Sequence, residues 1–134
     1  MCIRDSCHTI IPSKFLKSAI EKFVNYRIGA LPVVDQSKVL KGIISERDII
    51  RQLQLSKNIN DLQVGSVMTR NVITCNLDAR ANEVMEIMTK YRIRHVPITE
   101  GKQLLGIISI GDVVSRLLEK YKNEAELLKE YINS

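Results

Sequence analysis

The chain has 134 residues, 45% hydrophobic and 26% charged, with a formal net charge of +5 and no Trp. That is the composition of an ordinary globular protein, forming one compact unit or two very small ones sharing a core. With 4% aromatic residues, scattered Lys and Arg and only short apolar runs, it is not expected to stack single-stranded bases, present a basic nucleic-acid groove or span a bilayer.

The first six residues, MCIRDS, lack the apolar core of a signal peptide. They resemble the translation of a transposase adaptor used in sequencing-library preparation. Native sequence is then expected to begin near Cys7, with an upstream segment missing. Cys2, Cys7 and Cys75 form no C-x-x-C pair, so neither a disulfide framework nor a metal site is expected, and the location expected is cytoplasmic. Cys75, in VITCN, reads as a buried strand end and an inert small hydrophobe.

In chain order, Leu16, Ala19, Ile20 and Phe23 recur at i, i+3, i+4, i+7, which predicts an amphipathic helix with Ser13 as its N-cap. A strand follows at ALPVV (30–34), then a polar turn at DQSK, a strand at VLKGIIS (39–45) and a helix over about 46–55. The same order returns. Ala81, Val84, Met85 and Met88 predict a second helix with Asp78 as N-cap. HVPIT (95–99), the turn EGKQ, LLGIIS (104–109) and a helix from about 111 into the tail come next. Pro32 and Pro97 suit strand starts or edges.

This is a duplication. A shift of 65 pairs Thr9 with Thr74, Glu21 with Glu86 and Pro32 with Pro97, and lays YRI at 26–28 on YRI at 91–93. After one inserted residue, a shift of 64 pairs GIISERDII (42–50) with GIISIGDVV (106–114). Each unit reads strand, helix, strand, strand, helix, an α/β (α+β) arrangement. The boundaries expected are 7–58 for the first repeat, truncated at its N-terminus, 64–122 for the second, and 117–134 for a C-terminal helix. On that helix Leu118, Tyr121, Ala125, Leu128 and Ile132 form a coiled-coil-like stripe, read as a homodimer contact in preference to packing on its own chain.

Ser45-x-x-Asp48 and Ser109-x-x-Asp112 fall where a strand gives way to a helix. Two readings stay open. One is a capping box, with Ser at N-cap and Asp at N3. The other is a ligand site: a short carboxylate facing outward can accept both hydroxyls of a ribose diol, and the adjacent helix N-terminus suits a phosphate. The two are compatible.

GIISERDII, VGSVMTRNVIT, RIRHVPI and GIISIGDVV, duplicated at this spacing, resemble a tandem pair of cystathionine β-synthase (CBS) domains in a small stand-alone protein, over residues 7 to about 122. The resemblance implies two βαββα-type repeats with pseudo-twofold symmetry and an adenosine-containing ligand bound between them. Carried over, Asp48 would accept the ribose hydroxyls, Ser45 would assist at ribose or phosphate, and Ile43 would flank the adenine. Asn71, Val72 and Ile73 would form the opposite base wall. Arg94 and His95 would stand on the phosphate side, with Arg47 adding a guanidinium contact. A second, weaker cleft at Ile107, Ser109 and Asp112 departs from the pattern: Gly111 replaces Arg47, and Gly29–Ala30 replace Arg94–His95.

The function this implies is a non-catalytic regulatory module that senses an adenine nucleotide. AMP comes first, with ADP, ATP, NAD and S-adenosylmethionine also compatible, and no obligatory cofactor or metal. Alternatives are a dimerisation scaffold with vestigial sites and a nucleotide-processing enzyme using His95. The protein target is not legible. Nucleic-acid and membrane partners are not expected.

Overall fold

The computed structural model describes residues 2–3, 7–55 and 58–133. Residues 1 and 4–6 of the adaptor-like stretch, 56–57 at the end of the first repeat and 134 in the tail lie outside the described residues. The elements in order are β1 (Cys2–Ile3), α1 (Leu16–Tyr26), β2 (Ala30–Val34), β3 (Leu40–Ser45) and α2 (Glu46–Leu55). A 3-10 turn (Ile59–Asp61), α3 (Val64–Val67), α4 (Ala81–Tyr91), β4 (His95–Glu100), β5 (Gln103–Ser109) and α5 (Ile110–Asn133) follow.

α1 and α4 are each 11 residues long and bury the stripes that the periodicity marks: Leu16, Ala19 and Phe23 in one, Val84 and Met88 in the other. Both stop in the same way. Arg27 (φ 53°) and Arg92 (φ 54°) turn left-handed, and the amides of Ile28 and Ile93 donate back to the carbonyls of Phe23 and Met88. The N-termini differ from expectation. Phe15 and Arg80 occupy the cap positions, and neither caps with its side chain. Ser13 and Asp78 fall two residues too early. The leading amide of α1, on Leu16, instead donates to the Leu62 carbonyl (3.0 Å), and the Asp78 amide is engaged by Asn76 Oδ1 (3.0 Å).

β2 pairs antiparallel with β3, and β4 with β5. The first strand of each unit is reduced to one parallel bridge, Ile10 with Val33 and Cys75 with Ile98. The Ile10 and Cys75 amides donate to the carbonyls of Pro32 and Pro97 (3.1 and 3.0 Å). A residue's N–H and C=O point to the same side of a strand, so each proline turns its missing donor toward this thinly paired edge. The change of repeat shift from 65 to 64 lies in the hairpin turns: residues 35–39 intervene between the paired Val34 and Leu40, but only 100–103 between Thr99 and Leu104. The two turns also join the units. Leu40 donates to the Lys102 carbonyl (3.0 Å) and Leu104 to the Lys38 carbonyl (3.1 Å). This exchange between repeat mates is the local mark of the pseudo-twofold.

Each unit keeps its own buried cluster. The first gathers Leu16, Phe23, Leu31, Val33, Ile44 and Ile49 with Val64 and Met68 from α3 and its end. The second is smaller, built on Val84, Met88, Val96 and Val113. The segment after α3 also crosses to β3: Thr69 and Ile43 exchange both backbone hydrogen bonds (2.8 and 3.0 Å). In the other unit, β1 pairs Cys2 with Ile107, the repeat mate of Ile43. α5 buries Val113, and from Leu118 onward its side chains are exposed. Among the described residues no helix is long and apolar enough to cross a membrane.

Candidate functional site

β3 ends at Ser45 and α2 begins at Glu46, so the Ser-x-x-Asp phrase straddles the junction. The Ser45 amide (2.9 Å) and hydroxyl (3.0 Å) both donate to Asp48 Oδ2, and the Asp48 amide donates back to Ser45 Oγ (3.4 Å). That is a reciprocal capping box. Asp48 is 8% exposed. The capping reading is thus met at one oxygen, which is turned back onto Ser45 because the start of α2 presents unpaired amide hydrogens there; the ligand reading of the same carboxylate stays open at the other. Oδ1 receives the Thr69 hydroxyl at 3.5 Å, a long contact that leaves acceptor capacity on that atom. The second phrase repeats the box. The Ser109 amide (3.0 Å) and hydroxyl (2.9 Å) donate to Asp112 Oδ2, and the Asp112 amide donates to Ser109 Oγ (3.2 Å). Asp112 lies below the usual carboxylate range. Burial alone would raise it, and the amide and hydroxyl of Ser109 are among the groups that lower it.

A cleft of about 490 Å³ opens between the units beside the first box. All nine residues marked in the sequence line it. Ile43, Ser45, Arg47 and Asp48 form the wall from the first unit. Asn71, Val72 and Ile73 come from the segment after α3, and Arg94 and His95 from the approach to β4. Ile107, Ser109 and Asp112 do not line this cleft. The sequence reading did not assign Glu46, Ile50, Arg51, Thr69, Arg92 and Ile93, which do, and it gave Gly29 and Ala30 to the second cleft, whereas they line this one. Arg51 carried a usable signal, since it lies four residues after Arg47 and so on the same helix face. Thr69 carried none, because its place follows from the crossing to β3.

The charge of the cleft is uneven. Arg47, Arg51, Arg92 and Arg94 face Glu46 and Asp48, so cations outnumber anions. His95 titrates below the ordinary histidine range. Burial is the main cause and Arg94 adds to it, while Glu46 and Asp112 pull the other way. At neutral pH His95 is therefore uncharged and can donate one hydrogen bond. Cys75 is half-buried, and burial pushes its thiol up, which fits the inert role read from its sequence context.

The arrangement is a half-open slot with an apolar end at Ile43, Val72 and Ile73 and a cationic end at the arginines. The sequence profile of the CBS domain matches residues 3–55 and again 64–119. The chain belongs to the CBS-domain family. It is 34% identical over 119 residues to the mitochondrial CBS domain-containing protein CBSX3 of Arabidopsis thaliana, covering 85% of this chain and 58% of that protein. The crystal structure of the CBS domain NE2398 superposes with a TM-score of 0.78 at 35% identity, covering 84% of this chain and 87% of that one. The CBS domain pair of MJ0100, solved with 5′-methylthioadenosine and S-adenosyl-L-methionine, superposes with a TM-score of 0.77 at 30% identity, covering 90% and 94%. The two βαββα-type CBS repeats expected from the duplication are thus present, with α5 running on beyond them.

Proposed function

We propose that this CBS pair is a regulatory module that binds an adenine nucleotide in the Asp48 cleft and does no chemistry of its own. One observation carries the reading: nine residues drawn from three separate stretches of sequence converge on one 490 Å³ cleft. The size suits a small-molecule site with a few placed polar groups. The base would lie against Ile43, Val72 and Ile73 with Asn71 beside it. The ribose would meet Asp48 Oδ1 and Ser45, and the phosphate would meet Arg94, His95 and Arg47. The adenosine compounds in the MJ0100 structure support this class of ligand.

The module works as a homodimer in the cytoplasm. The exposed stripe on α5, with Leu118 64%, Tyr121 59%, Leu128 61% and Ile132 71% accessible, supplies an apolar face for a second copy. Catalysis is not part of the proposal. His95 would need a group to activate it, and Glu46 and Asp112 act on it only through space. Magnesium-dependent turnover of ATP would overturn this.

A scaffold with vestigial sites is the second reading. It is favoured by the capping boxes, which occupy Asp48 and Asp112 alike. A thermal-shift panel of AMP, ADP, ATP, NAD and S-adenosylmethionine separates the two. A ligand at about 100 times its Kd should add roughly 2.7 kcal/mol if it binds only the folded state. Absence of any shift would favour the scaffold.

A further inference from the structure

α2 places Arg47, Asp48 and Arg51 on one helix face, and all three line the cleft. The opposite wall supplies Arg92 and Arg94. Two arginines therefore come from each unit. Asp48 and Glu46 also line the cleft, so two carboxylates stand against four guanidinium groups. Among the described residues none of the four guanidinium groups has a carboxylate within ion-pair distance. A single phosphate at Arg94, His95 and Arg47 leaves Arg51 and Arg92 without a direct anionic contact.

Arg92 has a second peculiarity. It ends α4 in the left-handed region (φ 54°, ψ 47°), where glycine sits without strain and a side chain does not. Arg27 holds the same conformation at the repeat-mate position (φ 53°, ψ 46°) but does not line the cleft. The pair separates backbone strain from ligand contact.

We infer that Arg92, together with Arg51, is a specificity-determining residue that reads phosphates beyond the first, so that the cleft prefers a nucleoside di- or triphosphate to a monophosphate. This rests on the nucleotide reading above and modifies it: the sequence put AMP first, whereas the four unpaired arginines suit a more highly charged ligand. The same charge disfavours a sulfonium cation such as S-adenosylmethionine.

The test is calorimetry of the full chain with AMP, ADP and ATP, in parallel with thermal melts. ATP should bind the unsubstituted protein at least about tenfold more tightly than AMP, as one added charge-assisted contact allows. Arg92→Gly and Arg51→Gln should each bring that ratio toward one, weakening ATP by more than AMP. Arg92→Gly and Arg27→Gly should both raise the melting temperature, and Arg27→Gly should leave the ratio unchanged. AMP binding as tightly as ATP, or a ratio that survives Arg92→Gly and Arg51→Gln, overturns the inference while the nucleotide site stands. Failure of all three ligands to bind overturns both.

Discussion

His95 stands directly opposite Ser109 in the β4–β5 ladder, while its repeat mate Ala30 stands opposite Ser45 in β2–β3. The two capping boxes are nearly superimposable, yet only one has an imidazole beside it. His95 lines the Asp48 cleft and also feels the charge of Asp112 in its own unit. The duplication has thus kept its frame and lost its symmetry at His95, as it has at Arg47 and Arg94, whose repeat mates are Gly111 and Gly29.

The paired substitutions Asp48→Asn and Asp112→Asn separate capping from binding. Each weakens a box with the same geometry, so each should cost about 1 kcal/mol of stability in chemical denaturation. Only Asp48→Asn should also weaken nucleotide binding, by roughly 10- to 100-fold, because it removes a charged acceptor for the ribose. Equal stability losses with no change in affinity for either variant would make Asp48 a cap and nothing more.

Gly42 is required by a close approach. A Cβ there would stand 2.7 Å from both the Met68 sulfur and the Thr69 carbonyl oxygen. Met68 can swing aside, but the carbonyl is fixed by its exchange of hydrogen bonds with Ile43. Gly42→Ala should therefore destabilise by about 1–3 kcal/mol and open the Asn71 wall of the cleft. Gly111→Ala is the contrast, since its Cβ would meet only Ser109 Oγ at 3.7 Å within a helix. It should stabilise by about 0.5 kcal/mol. Urea melts of both variants check the opposite signs.

Much of the fold was legible because it is periodic. The stripes of α1 and α4 and the two hairpins obey simple spacing, and duplication reads each element twice. The caps were not legible, because a backbone carbonyl such as that of Leu62 can satisfy a helix amide in place of a nearby Ser. Of the cleft, the nine residues came through a resemblance in the repeated phrases. Arg92 was hidden by its conformation: the position after a helix usually signals Gly, and an Arg there reads as surface charge. The direction of the Asp48 carboxylate depends on a choice between Ser45 and solvent that the sequence leaves open.

The lowered pKa of His95 has a definite sign. Above about pH 6.5, the unfolded histidine value, the residue is neutral in both states and contributes no pH dependence. As pH falls below that, the unfolded chain takes up a proton before the folded chain does, so stability is lost until the folded pKa is passed. His95→Gln should flatten this part of the stability profile. A bound phosphate would oppose the shift, so nucleotide affinity should rise as pH falls from 7.5 toward about 6 in the unsubstituted protein and less so in His95→Gln. Comparing calorimetric titrations at the two pH values decides it; identical pH dependence in both proteins would remove His95 from the phosphate side.

The central claim is that the two repeats are unequal and that one cleft works. The Asp48 cleft has both walls and its cationic end, whereas the second phrase has Gly111 where the first has Arg47. The most direct measurement is the stoichiometry of adenine nucleotide binding by calorimetry on the full chain and two variants. The account predicts about one nucleotide per chain, lost in the double variant Arg94→Ala/His95→Ala and changed by no more than about threefold in Asp112→Asn. Two nucleotides per chain, or binding abolished by Asp112→Asn and kept in the double variant, would contradict it.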